Sequence, residues 1–130
     1  MMAPSSRTTS DRARLILAGI RILNGALALV APGLFVGRID RSGEPSPAAI
    51  YAFRLFGVRT VLLGRDLLRD EGPARSRAVS EAPLIHACDT ATAALLTLAR
   101  RVRLRSGVPL IAVSGVNTVL ACLAARRSGD

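Results

Sequence analysis

The chain alternates between long apolar stretches and short polar ones. Four runs dominated by Leu, Ala, Val and Ile stand out, at 15–36, 50–68, 82–99 and 107–125, with lengths of 22, 19, 18 and 19 residues. A helix needs about 20 residues to cross the hydrocarbon layer, whereas helices of soluble domains average about 11–12 and scatter widely. Four near-uniform runs therefore predict four membrane-spanning helices. The segments between them carry turn formers. Residues 37–49 hold two Gly and two Pro, 70–81 contain Gly72-Pro73, which reads as a helix stop, and 105–107 form a tight link. Pro109 then falls in the first turn of the last helix, where its missing N–H costs nothing. Short links join antiparallel neighbours. The expected fold is all-α, a four-transmembrane-helix antiparallel bundle over residues 12–127, behind a mobile Ser/Thr/Pro-rich tail at 1–11.

Composition supports this picture. Half of the 130 residues are hydrophobic and only 3% are aromatic, with no Trp. A soluble core of this size draws on aromatic volume; one of Leu, Ala and Val suits lipid. The first run contains Arg21 and Asn24 and spans 22 residues, too polar and too long for the apolar region of a signal peptide.

The net charge is +9, and all 18 basic residues are Arg. Arginine neutralises phosphates, but here no aromatics are interleaved to stack bases, so nucleic acid is not an expected partner. The arginines flank the apolar runs, as headgroup anchors do. With four spans, nine Arg fall on the side of the termini and six on the other. That bias expects cytoplasmic termini in a multi-pass protein of the inner (plasma) membrane, although the run Arg100–Arg105 lies on the opposite side. A three-span arrangement, with 82–99 not crossing, would bring that run inside.

Each run also holds polar groups that are costly in lipid and so face the interior, water or one another. These are Arg21 and Asn24; Arg54, Arg59 and Asp66; His86 and Asp89; and Asn117 and Thr118. Arg59 and Asp66 share a helix face, as do His86 and Asp89, while Arg54 points elsewhere. At ~1.5 Å per residue, Arg59, Asp89, Asn24 and Asn117 lie within roughly 3 Å of the midplane. Asp66 lies about 10 Å towards the terminal side, with Arg21 and His86 at roughly 7 Å. Two polar layers are expected: a central Arg59–Asp89 pair with Asn24 and Asn117, and a second layer of Arg21, Asp66 and His86. Such groups serve as interhelical glue or line a proton or substrate path.

Glycine and alanine add close-packing signals: Gly33 with Gly37, Ala87 with Ala91, and Gly57 with Gly64. Cys88 and Cys122 reach similar depth on neighbouring helices, so a disulfide is geometrically open, but inert packing is the expected role. His86 and Asp89 alone do not supply the three or four ligands a metal needs. No metal or cofactor is expected, and no phosphate loop, nucleophile elbow or HExxH motif is present.

Arg21, Gly25 and Pro32, then Arg54, Gly57, Arg59 and Gly64, then Asp89, give residues 15–99 a pattern that resembles small four-helix membrane proteins of actinobacteria, distantly similar to DoxX-like proteins. The resemblance implies a four-helix fold and a membrane location, and carries no reaction. Some DoxX-like relatives are linked to quinone-coupled thiol oxidation, for which this chain has no matching cysteine pair. The role expected is that of a non-enzymatic structural or accessory subunit, held in the lipid bilayer by self-association or in a larger membrane complex. The alternatives are a small oligomeric carrier or channel using Arg59 and Asp89, and a membrane enzyme acting on lipid or quinone with His86 and Asp89 as its acid–base pair.

Overall fold

The computed structural model describes residues 4–40, 44 and 46–126. Every regular element among them is a helix: α1 (Pro4–Val30), α2 (Pro32–Ile39), α3 (Pro47–Leu68), α4 (Pro73–Leu98) and α5 (Leu104–Ala125). Arg41 and Arg127, counted in the charge bias above, lie outside the described residues.

Proline sets most of these starts. Pro32, Pro47 and Pro73 each sit in the first turn of their helix, where no N–H is needed. Ser46 caps α3 by accepting from the Ala49 amide at 3.1 Å. Gly72 precedes α4 with a φ of +108°, a conformation that glycine adopts freely.

Several boundaries differ from the sequence expectation. The first apolar run is not one helix: the α conformation is disfavoured before a proline, and Ala31 breaks out (φ −131°, ψ 58°), leaving α1 and a short α2. The stretch expected to be a tail is helical from Pro4. It is held at its inner end, where Ser10 Oγ donates to the Ala124 carbonyl at 3.0 Å. Gly72-Pro73 opens α4 rather than only closing α3, so the second connector shrinks to 69–72. The third link lies at 99–103, and Pro109 is therefore inside α5, beyond its first turn. At the end of α4, Arg100 takes the left-handed conformation (φ 56°), and the Arg101 amide reaches back to the Leu96 carbonyl at 2.9 Å. This closing turn normally uses glycine.

Helix α1 packs most extensively along α3 and α4 along α5; α1 also lies along α5, and the α3–α4 seam is sparser. The α1–α3 seam is very close. A methyl group on Gly57 would meet the Gly25 carbonyl oxygen at 2.6 Å, and one on Gly64 would meet the Ile22 side chain at 2.7 Å. Residue 25 facing 57 and residue 22 facing 64 make the two helices antiparallel. In the α4–α5 pair, Gly107 faces Thr97 and Thr90 meets Thr118, so these also run in opposite directions. Gly33 and Gly37, by contrast, have no neighbour where a side chain would stand. Ala87 and Ala91 face outwards.

The radial order of residues is inverted relative to a water-soluble bundle. Inside are Ala13, Ala18, Gly25, Ala28, Gly57, Thr60, Gly64, Ala82, Ala121 and Ala124, and among the described residues only Leu17 and Leu67 are large and fully buried. Outside stand Leu23 (62% exposed), Val30, Leu55, Leu84, Leu95, Val116 and Val119 among many others. Three helical segments, Thr8–Val30, Pro47–Leu68 and Leu104–Ala125, are long and apolar enough to cross a membrane. Within an apolar 18-residue stretch of each, only 33%, 17% and 17% of residues are buried, so most of their apolar surface points away from the protein. α4 is not among them. Its first third carries Arg75, Arg77 and Glu81, and its apolar part is diluted by His86, Asp89 and three threonines. Of the four expected spans, three are thus long and apolar enough to cross a membrane, and α4 is a fourth long helix packed beside them.

Candidate functional site

Buried positions along α1 and α3 recur every three or four residues, and each long helix buries at least one polar side chain away from its ends. α1 supplies Arg21 (4% exposed), α3 Thr60 (6%), α4 His86 (4%) and α5 Asn117 (7%). Thr60 has the helical register of Gly57, Gly64 and Leu67, which together form the inner face of α3.

The centre of this group is a chain of contacts. Arg21 Nη1 lies 3.0 Å from His86 Nε2. A guanidinium can only donate, so Nε2 accepts and the imidazole carries its proton on Nδ1. That atom lies 3.5 Å from Asp89 Oδ2 without a hydrogen bond between them. The imidazole thus accepts from a cation on α1 and stands close to a carboxylate on its own helix. Next to it, Thr90 Oγ1 donates to the His86 carbonyl at 2.8 Å and lies 3.1 Å from Thr118 Oγ1 on α5. Arg21 Nε, His86 Nδ1 and Asn117 Oδ1 are buried without a hydrogen-bond partner.

The expected layers are redistributed. Arg21 and His86 meet, as their matched depth suggested, but Asp66 is not with them. It binds Arg65 at 3.3 Å and Arg69 at 3.2 Å near the end of α3. Among the described residues Asp89 pairs with His86 on its own helix and forms no ion pair with Arg59. The reason is radial: depth along the axis matches Arg59 to Asp89, but Arg59 stands on the outer face of α3. Arg54 is exposed as well, Asn24 is half-buried on α1, and Asp89 is 45% exposed at its side chain. The midpoint of α3 therefore shows two arginines to the outside, and α4 shows a carboxylate.

Cys88 and Cys122 are both free and exposed, so the geometrically open disulfide does not form. Among the described residues no group of three or more His, Cys, Asp or Glu could hold a metal ion. At the end where α1 begins and α5 finishes, a second polar cluster surrounds an open cavity of about 370 Å³. It includes Asp11, Arg14 and Arg75. Asp11 and Arg14 are three apart on one helix, but the sequence offered no signal that Arg75, from another helix, would join them.

No family model matches the chain, and no curated protein or solved structure does either.

Proposed function

We propose that this chain is a four-span integral membrane protein, of the small DoxX-like kind its sequence resembles, acting as a non-enzymatic accessory subunit of a larger membrane complex. The inverted radial order supports membrane residence. α4 becomes the fourth span because its polar residues His86 and Thr90 are matched by neighbours rather than left to lipid. The bias of nine arginines over six favours cytoplasmic termini in the inner membrane.

One observation carries the accessory role: charged side chains at span depth stand on the outside of the α3–α4 side. Arg59 is 12 residues from the start of α3 and 9 from its end, roughly 14–18 Å from either. Asp89 is 9 residues from the end of α4, roughly 14 Å. Ionised groups at such depth cost about 2.5–3.5 kcal/mol or more unless something polar meets them. The interior is already occupied by Arg21 and His86, so the matching groups come from another membrane helix laid against α3 and α4.

The test is extraction in mild detergent at native expression level. The expected result is a complex larger than the chain itself, dissociated by Arg59→Glu while the isolated chain keeps its thermal midpoint. A chain that migrates alone in every mild detergent would contradict the proposal. So would reconstituted vesicles with a solute or proton flux abolished by Asp89→Asn, which would make the same residues a transport path.

A further inference from the structure

The geometry points to a binding site for the zwitterionic headgroup of an amine-bearing phospholipid, in the cavity between the start of α1, the start of α4 and the end of α5. This inference rests on the membrane reading above and on none of the residues assigned there to the partner.

The cavity is framed by Ser10, Asp11, Arg14, Glu71, Arg75 and Ser76, over a floor of Val79 and Ala124. Its place in the fold is the rim of the apolar core. Val79 belongs to the buried cluster with Leu17, Leu67, Ala82 and Ala121, and arginines at 12, 65, 69, 77 and 126 are exposed around this end. That is the level at which headgroups meet acyl chains. About 370 Å³ falls within the range of small-ligand pockets.

The lining carries both signs. Arg14 donates to the Leu67 carbonyl and Arg75 to the Asp70 carbonyl, which fixes the two guanidinium groups. Asp11 stands 3.8 Å from each of them, at the outer limit of an ion pair, so neither arginine is saturated. Arg14 Nε is buried and without a hydrogen-bond partner. The start of α4 adds to this. No side chain caps it, Pro73 has no N–H, and the first helical bond runs from the Ser76 amide to the Gly72 carbonyl. The amides of Ala74 and Arg75 are thus left without a helical acceptor, at the positive end of a 26-residue helix. These donors suit a phosphate. Glu71, exposed at the cavity, makes no ion pair among the described residues and supplies acceptors for an ammonium.

Two cations and two carboxylates in one cavity do not favour a simple anion. They fit a ligand with a phosphate and an ammonium a few bonds apart. The same headgroup chemistry occurs free in water as phosphoethanolamine. The apolar floor and the position at the core rim select the lipid.

The experiment uses the full chain in detergent, titrated with short-chain phosphatidylethanolamine, phosphatidylcholine, phosphatidylglycerol and free phosphoethanolamine. Bound lipid is read by native mass spectrometry and the thermal midpoint by unfolding. Phosphatidylethanolamine is expected to bind about tenfold more tightly than the choline lipid, whose trimethylated nitrogen has no N–H, and to raise the midpoint. Glu71→Gln, at the cavity edge, should erase most of that preference without altering the lipid-free midpoint, and Arg75→Gln should weaken all three lipids alike. Equal binding of all three lipids by the unaltered chain, or a preference unchanged in Glu71→Gln, overturns the site. Free phosphoethanolamine binding as well as the lipid overturns the assignment to a membrane lipid. A chain that is soluble without detergent defeats the membrane reading itself, whereas a detergent-dependent chain with no lipid preference defeats only this inference.

Discussion

Arg21 and His86 are the residues on which the interior depends. Arg21 is 4% exposed and has one hydrogen-bonded partner, a neutral imidazole. A hydrogen bond to a charged group contributes about 1.5–3 kcal/mol. His86→Leu should therefore lower stability in detergent by about 2 kcal/mol or more, because it strands a buried guanidinium. Arg21→Leu combined with His86→Leu should recover much of that loss, since no charge is left uncompensated. Unfolding of the two single variants and the double variant checks this; a double variant as unstable as the sum of the singles would show that the two side chains do not act as a pair. The sequence made Arg21 and His86 legible as interior groups through their depth. Asp66 and Arg59 were misplaced because depth alone does not say which way a side chain points. Thr60 went unnoticed because a threonine is unremarkable by composition; its signal was the shared register with Gly57 and Gly64.

Among the elements, the α1–α3 pair is set by glycine. Gly57→Ala would push a methyl group into the Gly25 carbonyl, 2.6 Å away, with backbone on both sides and no flexible side chain to yield. Overpacking of this kind costs about 1–3 kcal/mol, and thermal unfolding should show it. Gly33→Ala, with no neighbour within 4 Å, should be neutral or slightly stabilising. Equal effects of the two substitutions would mean that α1 and α3 do not pack on Gly25 and Gly57. Spacing announced both glycine pairs equally, Gly57 with Gly64 and Gly33 with Gly37. What separated them was the break at Ala31, which turns α2 off the axis of α1 and leaves Gly33 and Gly37 without a facing helix. Helix boundaries were legible only where a proline could be read one way. Gly72-Pro73 serves equally as the end of one helix and the start of the next, and the first turns of α4 were lost to that ambiguity.

For the whole molecule, the decisive feature is the inversion of size and polarity from axis to surface. The axis is alanine, glycine, threonine, arginine and histidine, and the surface is leucine and valine. In water this arrangement would expose far more contiguous apolar surface than soluble monomers carry; in lipid it has no such cost. Three helices carry that argument by themselves, and α4 is the helix on which the four-span fold turns. The most direct measurement is therefore the sidedness of its two ends. In a chain whose Cys88 and Cys122 are replaced by alanine, a single reporter cysteine is placed at Arg77 or at Arg101 and treated with a membrane-impermeant maleimide in sealed and inverted vesicles. Arg77→Cys is predicted to react only from the cytoplasmic face and Arg101→Cys only from the opposite face; labelling of both from the same face, or recovery of the intact chain in the aqueous fraction, would contradict the account.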